Sequence, residues 1–113
     1  RAHQRTAIER SLALSRDDPD LLGLQVLSLN NLSDLYLSES GQEQRVLDYA
    51  RRAEELARTH GLDLQRAAPL TNIGLAQARL GQVDEGIANM REAVRALAGA
   101  GLLIRRRKAY GAR

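Results

Sequence analysis

Two stretches, Asn31-Leu32-Ser33-Asp34-Leu35-Tyr36 and Asn72-Ile73-Gly74-Leu75-Ala76-Gln77, follow one pattern at an offset of 41 residues. Self-similarity at a fixed period of about 20–50 residues marks repeat architectures. Working outward, Ser40-Gly41-Gln42 matches Leu80-Gly81-Gln82 at an offset of 40, and Val46, Ala50 and Ala53 match Gly86, Met90 and Ala93 at that same offset. His60-Gly61-Leu62 then matches Ala100-Gly101-Leu102. The chain reads as two copies of one helix–turn–helix unit laid end to end.

Local chemistry punctuates the same units. Asp18 suits an N-cap with Pro19 at the first helical position, because a carboxylate accepts the unpaired N–H groups there and proline has none to lose. That helix is expected to run to about Glu39, with Gly41 in the left-handed conformation that closes it. A second is expected over 43–59, stopping before Gly61. Asp63 is placed to cap a third, ending at Gly81, in which Pro69 either delays the start or kinks the first turns. A fourth is expected over 83–97, broken by Gly99 and Gly101. Residues 3–16, with Ala7, Leu12 and Leu14 apolar, resemble the second helix of a preceding unit, Leu14-Ser15-Arg16 corresponding to Leu56-Ala57-Arg58. Tyr110-Gly111 lies 41 residues beyond Pro69-Leu70, where another unit's first helix would begin. One repeat domain over 1–113 is therefore expected, divided into 1–18 (end of a preceding repeat), 19–61, 62–101 and 102–113 (start of a further helix, or a linker).

Composition points to helices. The 113 residues suit a single domain, Leu and Ala dominate, and there are three Tyr, no Phe and no Trp. No stretch alternates apolar and polar residues with the period of a strand. Without Cys there are no disulfides or thiolate metal sites, and His3 and His60 have no partner at ligand spacing, so no metal or cofactor is expected. No run of apolar residues is long enough to span a membrane, and no signal peptide is visible, so a cytoplasmic location is expected. The start at Arg1, without Met, reads as a cut from a longer chain. The net charge of +3 is unevenly placed: residues 17–99 carry −5, residues 1–16 carry +3 and residues 100–113 carry +5. An acidic middle argues against a nucleic-acid footprint over the whole surface.

With these residues in place, the chain resembles the tetratricopeptide repeat family. The second copy offers Leu70, Ile73-Gly74, Gln77, Gly81, Gly86, Met90 and Ala93 at that family's signature positions. The first offers Leu29, Leu32-Ser33, Tyr36, Gly41, Val46, Ala50 and Ala53. Gln77 stands where the pattern has Tyr, Val46 and Gly86 stand where it has Ala, and the first copy carries one extra residue before Gly41. The period of about 40 exceeds the usual ~34. Longer repeats with Asn ahead of the Leu-Gly step look like kinesin light chain, bacterial peptide-pheromone regulators, and sensor regions of bacterial nucleotide-cyclase and transcription-factor proteins. The resemblance implies an all-α fold of antiparallel helix–turn–helix repeats stacked as a right-handed superhelix, an α-solenoid with a concave groove. Physical reasoning agrees: a stripe of Leu and Ile that one hairpin cannot bury alone is buried by stacking hairpins.

In similar repeats the Asn equivalent to Asn31 and Asn72 points into the groove, where a side-chain amide, both donor and acceptor, suits the backbone of an extended peptide. The alternative is that each Asn bonds a neighbouring helix or loop. Asn30, Asp34, Thr71, Leu75 and Arg79 lie on or near the same face, where Asp34 and Arg79 would set charge preference. The family's clamp for a free peptide C-terminus also needs a Lys, and the only Lys is Lys108, so that clamp is not expected. Arg105-Arg106-Arg107-Lys108 would point in all directions on a helix, so a solvated segment is expected there rather than a nucleic-acid site. Adjacent acids such as Glu54-Glu55 and Asp84-Glu85 do not face each other on a helix, glycines occur singly at helix ends, and Ser28, Ser33 and Ser38 have no His nearby in sequence. A catalytic constellation is thus missing. The expected function is a non-catalytic peptide- or protein-binding module of a larger bacterial signalling or transcription-control protein. The alternative is a self-association module, a homodimer formed through the open ends of the stack.

Overall fold

The computed structural model describes residues 2–15 and 21–111, with the side chains of 4–13 and 21–101. Five helices make up this part: α1 (Ala2–Ser15), α2 (Leu22–Leu37), α3 (Glu43–Thr59), α4 (Ala67–Arg79) and α5 (Val83–Gly111), with a 3-10 turn at Asp63–Arg66 ahead of α4. No strand occurs among the described residues. The proposed cap at Asp18 and Pro19 and the side chains of His3 and 105–108 lie outside the described residues.

Glycines close two helices, α3 and α4, and a third glycine of the same conformation stands in the loop after α2. Gly41, Gly61 and Gly81 have φ of 79°, 70° and 84°, values that a Cβ disfavours. After α3 the N–H of Leu62 donates to Ala57 O (2.8 Å) and that of Gly61 to Arg58 O (3.3 Å). After α4 the N–H of Gln82 donates to Gln77 O (2.8 Å) and that of Gly81 to Ala78 O (3.1 Å). Both ends are Schellman motifs, which satisfy carbonyls otherwise left without partners. The extra residue before Gly41 changes the first hairpin. There α2 ends at Ser38, whose N–H donates to Asp34 O, and Gly41 follows three residues later.

Two expectations are corrected. Asp63 makes no capping hydrogen bond, because residues 63–66 wind as a 3-10 turn. The α-helix starts only at Ala67, which puts Pro69 in the first turn, where a missing N–H breaks no helical hydrogen bond. The break at Gly99 and Gly101 is absent, and α5 runs on to Gly111. Neither glycine has positive φ, so each is a tolerated helical residue at a cost of about 1 kcal/mol against Ala, not a terminus. Residues 102–111 therefore extend α5 and do not open another helix.

Sequence neighbours pack antiparallel. Tyr36, late in α2, packs with Val46, Leu47 and Ala50 early in α3, while Val26 and Leu29 meet Ala53 and Ala57. Ile73 and Ala76 of α4 join the first of these clusters. In α1, Arg5 pairs with Glu39 and Ser11 lies against Ser28, whose hydroxyl donates to it (3.3 Å). By contrast α2 and α4 run side by side in one direction, since Asn30 meets Asn72 and Leu37 meets Arg79. Small residues set the close approaches: Ala50, Ala53, Ala57 and Ala76 have no exposed surface. Tyr36 and Tyr49 stack with centroids 5.7 Å apart, and the guanidinium of Arg5 lies 4.6 Å from the Tyr36 centroid. Two of the three tyrosines are thus spent at the α1–α2–α3 junction, where ring stacking and cation–π contact add to apolar burial.

Candidate functional site

The face to consider is the one that parallel α2 and α4 present together. Along α2, Gly23, Leu24, Leu27, Asn31, Asp34 and Leu35 recur at three- and four-residue spacing and lie exposed or half-buried. Leu64, Ala68, Thr71, Leu75 and Arg79 do the same from the 3-10 turn through α4. The opposite sides of both helices carry the core, with Leu29, Leu32, Tyr36, Leu70, Ile73 and Ala76 buried.

Asn72 sits at the seam beneath this face and is only 6 % exposed. Its Nδ2 lies 2.7 Å from Asp34 Oδ1, and 3.3 Å from both Asn30 Oδ1 and Ser33 Oγ. An amide nitrogen has two hydrogens, so the charged acceptor at the shortest distance is the dominant bond. That carboxylate also fixes the amide's orientation, since the flipped group would aim its oxygen at Asp34. Ser33 in turn donates to Val46 O at 3.3 Å, which links α2, α3 and α4. Asn72 therefore clasps helices together with its donor group, and the equivalence expected between it and Asn31 does not extend to exposure.

Asn31 stands differently. It is half-buried, and its side chain makes no hydrogen bond among the described residues. It lines a cavity of about 380 Å³ between α1 and α2, together with Gln4, Ala7, Ile8, Asp34 and Leu35. A second, smaller cleft of about 130 Å³ opens between the starts of α2 and α4 and includes Leu27, Asn30, Gln65 and Pro69. Asp34 and Asn30 thus border the two clefts and hold Asn72 as well.

The remaining candidates divide. Thr71 spends its hydroxyl on Ala67 O of its own helix (2.9 Å), and Leu75 is half-buried. Arg79 donates to Leu37 O at 2.6 Å, meeting a carbonyl at the C-terminus of α2 where a cation is favoured. Gln77, where the family pattern has Tyr, is buried and accepts from Asn89 Nδ2 of α5 at 2.7 Å. Gln4, Ala7 and Ile8, and the exposed Leu24, Leu27 and Leu64, are not among the site residues expected from the sequence. The leucines were legible as an apolar stripe, yet nothing in their spacing says which leucines face water. A cavity of about 440 Å³ between α1, α2 and α3 holds none of the site residues expected from the sequence.

Charge chemistry lies away from this face. Arg66 bridges Glu54 (2.8 Å) and Glu92 (3.5 Å), and its pKa is raised first by the hydrogen bond to Glu54. The Glu92 carboxyl is held below its ordinary value of 4.5, first by the hydrogen bond from Arg95. Among the described residues no group of His, Cys, Asp and Glu could hold a metal ion, and no helix is long and apolar enough to cross a membrane. Comparisons with protein-family models, with curated proteins and with solved structures returned no match.

Proposed function

We propose that the chain is a non-catalytic peptide- or protein-binding module of the tetratricopeptide kind, its hairpins stacked as a right-handed superhelix with the ligand lying along α2 and α4. The observation that carries this reading is the open face of two parallel helices, apolar at Leu24, Leu27 and Leu64, with polar groups between. A cleft lined by Asn31, Asp34 and Leu35 adjoins it. Such a surface gives an extended peptide apolar footholds and gives its backbone an amide and a carboxylate to pair with. Asn31 is the residue that meets the ligand. Asn72 acts beneath it, holding Asn30 and Asp34 in place. Side-chain pairing with Asp34 would favour ligands that carry a basic residue.

The test is a phage-displayed peptide library, followed by fluorescence anisotropy on the selected sequences. Asn31→Ala and Leu27→Glu should each weaken binding by about tenfold or more, with helicity unchanged. Selected peptides that bind both variants as tightly as the parent chain would rule this face out.

A further inference from the structure

A separate face, on α5, makes a different case. Val83, Ile87, Met90, Val94 and Leu97 are spaced four, three, four and three residues apart, and all are exposed. At 100° per residue they fall within about 80° of arc, a continuous seam of the kind that packs helix on helix. Val94 is 65 % exposed and Leu97 50 %.

The molecule contains its own comparison. At an offset of 40 residues, Ile87, Met90 and Leu97 correspond to Leu47, Ala50 and Ala57 of α3, which are at most 2 % exposed. The α3 residues lie within the stack formed with α2 and α4, whereas the α5 seam stays 38–65 % exposed, with Met90 also reaching Gly74 of α4 through its Cγ. One difference decides what fits. Glu54 of α3 pairs with Arg66 of the incoming segment, but the corresponding position on α5 is Val94. A further hairpin of the α4 kind would lose its arginine partner there. A second α5 running the opposite way brings Val83 to that place.

We propose that this seam is a twofold interface between two copies of the chain, α5 antiparallel to α5. Ile87 faces Met90 of the other copy, and Val83 faces Val94. This register brings Asp84 of each copy beside Arg91 of the other, on one flank of the seam. Both are exposed and make no ion pair among the described residues, so each is available for the exchange. A twofold axis produces that pair twice, which gives the charge complementarity that fixes register. A seam of five half-exposed side chains amounts to several hundred Å² per copy. Doubled by symmetry it approaches ~1,000 Å², the lower edge of specific interfaces, so a reversible dimer is expected. The proposal stands on a face that the peptide-binding reading does not use, and either can fail alone.

Sedimentation equilibrium from about 1 μM to 1 mM on the whole chain tests it. The parent should pass from monomer to dimer in this range. Val94→Glu, which places in α5 the residue that α3 already carries, should weaken the dimer by at least about tenfold with unchanged helicity. Asp84→Arg and Arg91→Asp should each do the same, their double variant should dimerise like the parent, and a mixture of the two single variants should form heterodimers. These charged positions are exposed, so the swaps remain informative even where Val94→Glu fails to fold. The chain has no Cys, so introduced thiols report cleanly. Val83→Cys mixed with Val94→Cys should give a disulfide-linked pair, and neither variant should cross-link by itself. A monomer at every concentration overturns the proposal and leaves the seam to a different partner helix. A dimer indifferent to the charge swaps, or Val83→Cys cross-linking to itself, overturns it too.

Discussion

Gly74 of α4 and Gly86 of α5 face each other so closely that a methyl group on either would lie 2.7 Å from the other's carbonyl oxygen. The two helix backbones touch there, and Met90 Cγ packs beside them, 2.6 Å from where a methyl on Gly74 would lie. The corresponding crossing in the first hairpin is filled by Ser33 and Val46, whose contact is a hydrogen bond from hydroxyl to carbonyl. Gly74→Ala or Gly86→Ala should therefore push two backbones apart. The gain in helix propensity, about 1 kcal/mol, is outweighed by overpacking of about 1–3 kcal/mol. Thermal unfolding followed by circular dichroism should show a lower Tm for each, and a Tm equal to the parent's would contradict the close crossing.

The same substitution at Gly99 should act in reverse. A Cβ there meets nothing within 4 Å, and the residue lies inside a continuous helix. Gly99→Ala should stabilise by about 0.5–1 kcal/mol, because alanine gives up less backbone freedom on folding. Denaturant midpoints measured beside those of Gly74→Ala would separate the two kinds of glycine. A destabilised Gly99→Ala would mean that the helix does break there.

At the α2–α4 seam, Asn72→Ala removes the donor shared by Asp34, Asn30 and Ser33 and should cost about 1–3 kcal/mol. Asn72→Asp is the sharper experiment. It nearly preserves shape but sets a second carboxylate against Asp34 in a mostly buried place. Two such groups cannot both ionise cheaply, so one proton is retained and the variant should regain stability as pH falls from 7 towards 5. Urea midpoints at the two pH values check this, and a loss of stability that is equal at both would refute the repulsion.

Glu92 predicts the opposite slope elsewhere. Its folded-state pKa lies below 4.5, held there first by the hydrogen bond from Arg95 and further by Arg66. A depressed carboxylate contributes stability above its unfolded value and loses it as pH falls through the folded one. The contribution is small at so exposed a group. Glu92→Gln should flatten the acid limb of the stability curve below pH ~4.5 while leaving the neutral plateau nearly unchanged. Arg66→Lys should weaken the plateau itself, since an ammonium cannot reproduce the guanidinium's reach to both Glu54 and Glu92. Parallel pH titrations of stability for the two variants check both expectations.

Much of the architecture was legible because it is written in spacing. The offset between Asn31 and Asn72 announces a repeated unit, and Gly41, Gly61 and Gly81 mark ends that demand positive φ. Helix α3 appears where the sequence expects it, at 43–59. Where structure and sequence expectation part, the cause is shared: a residue's local preference permits a conformation without deciding it. Gly99 and Gly101 permit a break without imposing one, and Asp63 is able to cap yet lies in a 3-10 turn. The site was half legible. Helical spacing puts Asn31 and Asn72 at equivalent places, but α4 has α2 beside it to receive its amide, and no repeat spacing reveals that the neighbour presents a carboxylate at 2.7 Å. Nor does it reveal that α1 brings Gln4 and Ile8 to Asn31.

The order in which helices touch has a consequence for how the molecule opens. Helix α1 rests chiefly on α2, and α5 on α4 and the 3-10 turn, while α2, α3 and α4 have neighbours on more than one side. Such a chain unravels from its flanks, and its contacts, mostly between sequence neighbours, favour rapid refolding. Amide hydrogens should exchange slowest around Leu32, Ala50 and Ile73 and fastest in α1 and the far half of α5. A uniform rate along the chain would instead mark one all-or-none unit, in which a partner bound at one flank is felt equally at the other.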